Sequence, residues 1–264
     1  VIELEDISFG YTSNPILRNI SLKIDNNELI SLTGPNGSGK TTLALLLAGI
    51  LEPQGGEVVI DSIRSNEYER FEEKRKDIGI VFENPDNQFI TTSVERELAF
   101  GLENMGVERE EMKRRVEESI KRFSLEELRF RAPHTLSGGE KQKVAIASIL
   151  IFNPRYLILD EPTAFLDPCS RRMVLDLIQN LKGTISILLI SHFPEEIMLG
   201  DTIYFLRDGK LDKQEREKVV LRSQSLDFLH FLNERGISQY LYPPEPEMLC
   251  DTIEAFKKKK STRV

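Results

Sequence analysis

Residues 34–42 read GPNGSGKTT, and their types and spacing could hold a triphosphate. Glycines let backbone N–H groups wrap around phosphate oxygens, a lysine supplies charge for the β- and γ-oxygens, and a threonine hydroxyl ligates Mg²⁺. Gly34, four residues, then Gly39, Lys40 and Thr41 fit that spacing. The run Gly34, Pro35, Asn36, Gly37, Ser38, Gly39, Lys40, Thr41 and Thr42 is therefore a candidate ATP contact surface. With glycine at about 7% of residues, a chance match in this length is on the order of one in a hundred.

YLILDEP (156–162) ends an apolar run in two carboxylates, Asp160 and Glu161. In open parallel sheets, ligands sit at the carboxyl ends of strands. Asp160 is thus expected to serve Mg²⁺, and Glu161 to orient and deprotonate a water. His192 ends a second apolar run, ISILLIS, and on the same edge it is expected at the γ-phosphate. His134 and His230 are given no catalytic role. TLSGGEKQKVAIA (135–147) is a second anion seat: Ser137 can cap a helix, and Gly138 and Gly139 permit close approach to its positive end. One triphosphate is not easily gripped by two helix starts of one compact fold. The economical reading is a head-to-tail pair, in which the Ser137–Gly139 segment closes over the nucleotide of another subunit.

These residues need a particular scaffold. IELEDISF and ISLKID alternate as half-buried strands do, and ELISLTG (28–34) feeds the glycine-rich loop. A helix is expected over 40–51, stopped by Pro53 and Gly55–Gly56. EVVI and IGIVF read as further strands. Residues 84–155 show helical spacing with charged outer faces, the pattern of an inserted helical subdomain. YLILD, TISILLIS and TIYFL read as strands, with a helix at 168–182 between the first two, so a parallel sheet covered on both faces follows. Residues 214–235 read as helical. With the proline-bearing connection and the short helix after it, residues 216–264 form a small C-terminal appendage.

The 264 residues carry 40% hydrophobic and 30% charged side chains, the balance of a globular protein, and a net charge of -8. That charge argues against binding nucleic acid by bulk electrostatics. The longest apolar runs, ALLLAGIL (44–51) and ISILLI (185–190), are too short to cross a bilayer, and the first residues lack a signal-peptide pattern. Cys169 and Cys250 lie far apart without metal spacing. The basic tail KKKKSTRV reads as a solvated end rather than a membrane contact.

LSGGE (136–140), shortly before the strand that ends in Asp160, resembles the signature of ATP-binding-cassette (ABC) ATPases over about residues 1–215. The resemblance implies an α/β P-loop NTPase fold: a RecA-like core, an N-terminal antiparallel β subdomain and the inserted helical subdomain. It implies that Tyr11, in ISFGY, stacks on adenine. TAFLD (163–167), ending in Asp167, becomes the loop that touches the partner subunit, and His192 the switch histidine. VFENPDNQF (81–89) with LNERGI (232–237) is similar to the ATPases of energy-coupling factor transporters. Those energise uptake of vitamins or of metal ions such as cobalt and nickel. There, two ATPases, alike or related, dock from the cytoplasmic face on a transmembrane coupling protein, which holds a substrate-capturing membrane protein. The appendage is then a candidate dimerisation segment.

Glu83 departs from the family pattern, which has glutamine in the loop that senses Mg²⁺ and the γ-phosphate. A carboxylate there is a further Mg²⁺ ligand and suits an altered site in an unequal pair. The resemblance leaves open another ABC importer, differing in its membrane partner. A soluble ABC ATPase acting on ribosomes or DNA is opposed by the single cassette, the lack of a long heptad coiled coil and the acidic charge. A regulatory module without turnover would lack Glu161 or His192.

Overall fold

A computed structural model describes residues 1–214; the readings made for the appendage and the basic tail lie outside the described residues. The chain opens on β1 (Ile2–Phe9), β2 (Leu17–Ile24) and β3 (Leu29–Thr33), followed by α1 (Lys40–Leu47), β4 (Gly55–Ile60) and β5 (Ile63–Arg64). Next come α2 (Tyr68–Arg75), β6 (Ile78–Val81), α3 (Val94–Asn104), α4 (Arg109–Arg122) and α5 (Gly138–Leu150). The remainder is β7 (Tyr156–Asp160), α6 (Pro168–Leu181), β8 (Ser186–Ile190), α7 (Pro194–Ile197), β9 (Thr202–Arg207) and β10 (Lys210–Gln214).

Two sheets result. One is antiparallel in the order β2-β1-β4-β5; the other runs β10-β9-β3-β8-β7-β6. Its members pair in parallel except for the β9–β10 hairpin at one edge. Strands β3, β7 and β8 are buried at every position. Their side chains alternate between two cores. Leu157, Leu159, Ile187 and Leu189 pack with α3, α4, α5 and α6, whereas Ile158, Leu188, Ile190 and Leu32 pack with α1 and the antiparallel sheet. Both faces are covered, which is why these strands read as continuous apolar runs.

The segment between β6 and β7 is built of α3, α4, α5 and short 3₁₀ turns. α3 and α4 are amphipathic: Val94, Leu98 and Leu102 on one and Val116 and Ile120 on the other enter the core shared with α5. No helix among the described residues is long and apolar enough to cross a membrane.

Two expectations need correction. The first helix ends at Leu47, not near residue 51, because Gly49 adopts φ of 65°, a left-handed conformation that closes helices and that glycine reaches without steric cost. Gly55 and Gly56 do not stop it; they begin β4. In addition, Gln214 closes strand β10 rather than opening a helix.

Candidate active site

Strands β3, β8, β7 and β6 are neighbours and run parallel, so their carboxyl ends open on one edge. Each delivers sequence-identified residues there. The glycine-rich loop follows β3, His192 stands two residues beyond β8, Asp160 and Glu161 close β7, and Glu83 follows β6. The register Asp160↔Ile190 sets the ends of β7 and β8 side by side, as their apolar runs implied.

Lys40 is buried, and its Nζ donates to the carbonyls of Gly34 and Pro35, each at 3.1 Å. Nζ also lies 3.9 Å from a Glu161 carboxylate oxygen. Burial lowers the lysine's pKa, against the raising effect of Glu161, Asp160 and Glu83. Asp160 is pushed up by burial and by the charges of Glu161 and Glu83, while a hydrogen bond from Thr41 and the Lys40 charge oppose this. Glu161 is held below the usual carboxylate range, first by His192, whose Nε2 stands 2.8 Å from Oε1, and also by Lys40. Three carboxylates thus converge on one lysine.

Glu161 itself has φ of 49°, in the left-handed region, which costs about 1–2 kcal/mol for an L-residue. Its amide bonds the Ile190 carbonyl at 3.0 Å, so the turn is tied directly to the end of β8.

The residues present fit ATP and Mg²⁺. Ser38 Oγ, within the glycine-rich loop, is buried and has no partner among the described residues, a donor suited to a phosphate oxygen. Thr41, exposed, offers its hydroxyl oxygen beside the buried Asp160 carboxylate, and Glu83 adds negative charge that a divalent cation would balance. Among the described residues no group of three His, Cys, Asp or Glu could hold a metal ion by itself. Tyr11 is 60% exposed, packs edge-on to Phe9 with centroids 5.1 Å apart, and places its hydroxyl 3.4 Å from Thr42 Oγ1. An exposed aromatic next to the first helix can cover a base.

The segment expected to form a second anion seat lies at the start of α5. Ser137 and Glu140 form a reciprocal capping box, with the Ser137 amide 2.8 Å from Glu140 Oε2. Ser137 and Gly138 are exposed; Gly139 is not. A Cβ at Gly139 would stand 2.6 Å from Ser170 Cβ, so this glycine is required by the packing of α5 on α6. Asp167 caps α6, accepting from the amides of Cys169 at 3.0 Å and Ser170 at 3.1 Å. It remains exposed, on the loop that carries Phe165, itself 75% exposed.

Sequence reasoning missed what holds the Glu83 loop. Gln88 accepts from the Phe82 amide at 3.0 Å and donates to Ile80 O at 3.2 Å, and Lys141 of α5 pairs with Asp86 at 2.7 Å. Between this loop, the start of α5 and Phe165 runs a cleft of about 290 Å³. Lys141 and Asp86 are 55 residues apart, too far for any periodicity to link them.

A glycine-rich loop from a parallel strand into a buried helix, with a carboxylate closing the strand two places away, defines a P-loop NTPase. Residues 17–164 match the family model described as ABC transporter. Over 231 residues, 86% of the chain, it is 42% identical to the Energy-coupling factor transporter ATP-binding protein EcfA1 of Ligilactobacillus salivarius, 82% of which is covered. The chain belongs to the ABC transporter family, among its energy-coupling factor transporter ATP-binding proteins, and is an ATPase whose hydrolysis is coupled to transport. EcfA of Methanosarcina acetivorans is 41% identical, with 87% of this chain and 84% of the relative aligned. Among solved structures, cbiO1 from Clostridium perfringens, part of the ABC transporter complex cbiONQ, superposes with a TM-score of 0.75 at 31% identity, over 89% of this chain and 95% of that one. A dimeric ATP-binding cassette in a post-hydrolysis state, bound to ADP and Pi, gives 0.72 at 28% identity, over 82% and 99%.

Proposed function

We propose that this chain energises uptake of a vitamin or a metal ion through a transmembrane coupling protein, as one of two ATPases on the cytoplasmic face of the membrane. Residues 1–215 act as the nucleotide-binding cassette, with the helical subdomain at about 84–155, and residues 216–264 as an appendage available for dimerisation. The observation that carries the reading of the site is Glu161 held between His192 at 2.8 Å and Lys40 at 3.9 Å, at the edge where the glycine-rich loop opens.

In this reading Lys40 and the amides of residues 34–42 hold the phosphates and Tyr11 covers the adenine. Thr41, Asp160 and Glu83 hold Mg²⁺, which supplies charge neutralisation at the β- and γ-oxygens. Glu161, ionised and aimed by its left-handed turn, orients the attacking water and takes its proton. His192 holds the γ-phosphate edge. Ser137, Gly138 and Gly139 complete the site of the other subunit, and Asp167 stands at that junction. The Glu83 loop, tied to α5 by Lys141, relays closure to the membrane partner. Glu83 in place of glutamine suits one member of an unequal pair.

Affinity purification of the chain from its native membranes in mild detergent, with mass spectrometry of the co-purifying proteins, tests this. Recovery of a second ABC ATPase, a coupling membrane protein and a small substrate-capturing membrane protein is expected. Recovery of ribosomes, DNA-bound factors or nothing hydrophobic contradicts the importer reading.

A further inference from the structure

Glu196 is fully buried, on the short helix α7, and no step above uses it. A buried carboxylate persists only where its oxygens find donors. Here they find one from each of two chain segments. Oε2 accepts from Ser191 Oγ at 2.6 Å, and Oε1 accepts a short hydrogen bond from Thr163 Oγ1. Ser191 precedes His192, and its Oγ also accepts from the amide of Phe193 at 3.0 Å, so one hydroxyl brackets the histidine. Thr163 lies two residues after Glu161, at the head of the loop that ends in Asp167. Arg171 of α6, the helix Asp167 caps, lays its guanidinium 3.6 Å over the Phe193 ring and approaches Glu196 at 4.0 Å.

We infer that Glu196 is a positioning residue, clamping the backbone that carries His192 to the segment from Glu161 to Asp167, so that the two shift together during turnover. Segments leaving adjacent parallel strands are held to each other only as far as the ladder extends, and past Asp160↔Ile190 the ladder has ended. Beyond it, the Glu161 amide bond to Ile190 O fixes one point. The carboxylate supplies the next link, reaching past His192 on one side and Pro162 on the other. With both oxygens occupied, neither hydroxyl can turn away without leaving a buried carboxyl oxygen short of a partner, which is costly in a low-dielectric site. The Glu161–His192 distance is thereby held, and displacement of the partner-facing loop is transmitted to the histidine.

The inference rests on the reading of Glu161 and His192 given above. It is tested on the purified ATPase complex with its membrane partners, by kcat and KM for ATP and by melting temperature. Thr163→Val removes the hydroxyl at nearly constant shape and is expected to lower kcat about tenfold with KM within about twofold. Thr163→Ser is expected to restore kcat to within about twofold of the parent. Glu196→Gln keeps shape and one acceptor, covers the case in which Thr163→Val fails to fold, and is expected to show the same kcat loss. Ser186→Ala is the control for stability alone: this buried hydroxyl bonds Asp25 O at 3.0 Å at the opposite end of β8, and its loss is expected to lower the melting temperature without changing kcat. Unchanged kcat in Thr163→Val or Glu196→Gln, no rescue by serine, or an equal kcat loss in Ser186→Ala overturns the inference. His192→Ala separates the two levels. If it is inactive while Thr163→Val is normal, only the clamp fails; if it turns over normally, the reading of the site fails with it.

Discussion

Glu161→Gln is expected to lower ATP turnover by about two to three orders of magnitude while leaving ATP affinity within about threefold, the range associated with loss of a general base. The substitution keeps side-chain volume and a carbonyl acceptor facing His192, so the turn tied to Ile190 O should persist. What it removes is charge. Glu161 heads the charges that favour the protonated form of Lys40, and its own ionisation is favoured by His192 and Lys40. An amide accepts no proton from water, so the step that needs a base stops while the phosphate grip of residues 34–42 stays. Steady-state turnover of the complex and equilibrium nucleotide binding separate the two quantities, and undiminished turnover removes Glu161 from the base role.

Lys40→Ala should do the reverse, abolishing binding rather than chemistry alone. Hydrogen bonds to a charged group are worth about 1.5–3 kcal/mol each, so losing two contacts to phosphate weakens ATP binding by roughly two to four orders of magnitude. The three carboxylates near Nζ would then repel the triphosphate without a neighbouring cation. Calorimetric titration with Mg-ATP measures the loss; affinity within about tenfold of the parent would show that the loop amides bind the phosphates without the lysine.

The parts of this site that could be read from the chain are those packed into contiguous motifs. GPNGSGKTT and YLILDEP each carry their strand with them, so the sheet edge on which they meet followed from the apolar runs before them, while LSGGE carries its own helix start. Other elements hid for physical reasons. β10, KLDKQ, is an edge strand mostly open to solvent and has no apolar run. α2, YERFEEKR, buries only Phe71 and reads as a charged connection. The leucine run of α1 continues past Gly49, so hydrophobicity overstates the helix. The Glu196 clamp joins residues 163, 191 and 196 through hydroxyls of ordinary sequence context, and only tertiary proximity reveals it.

A composite site needs two subunits, so nucleotide-dependent pairing decides whether it forms. Sedimentation of the Glu161→Gln chain would be followed with and without ATP, alone and mixed with the ATPase that co-purifies with it, and then with Ser137→Arg added. Losing the Ser137 cap costs about 1 kcal/mol, too little to unfold the domain. ATP is expected to convert single subunits into pairs, and Ser137→Arg to abolish pairing while each chain still binds ATP. Subunits that remain single with ATP, or pairs that form equally well with arginine at the start of α5, would contradict it.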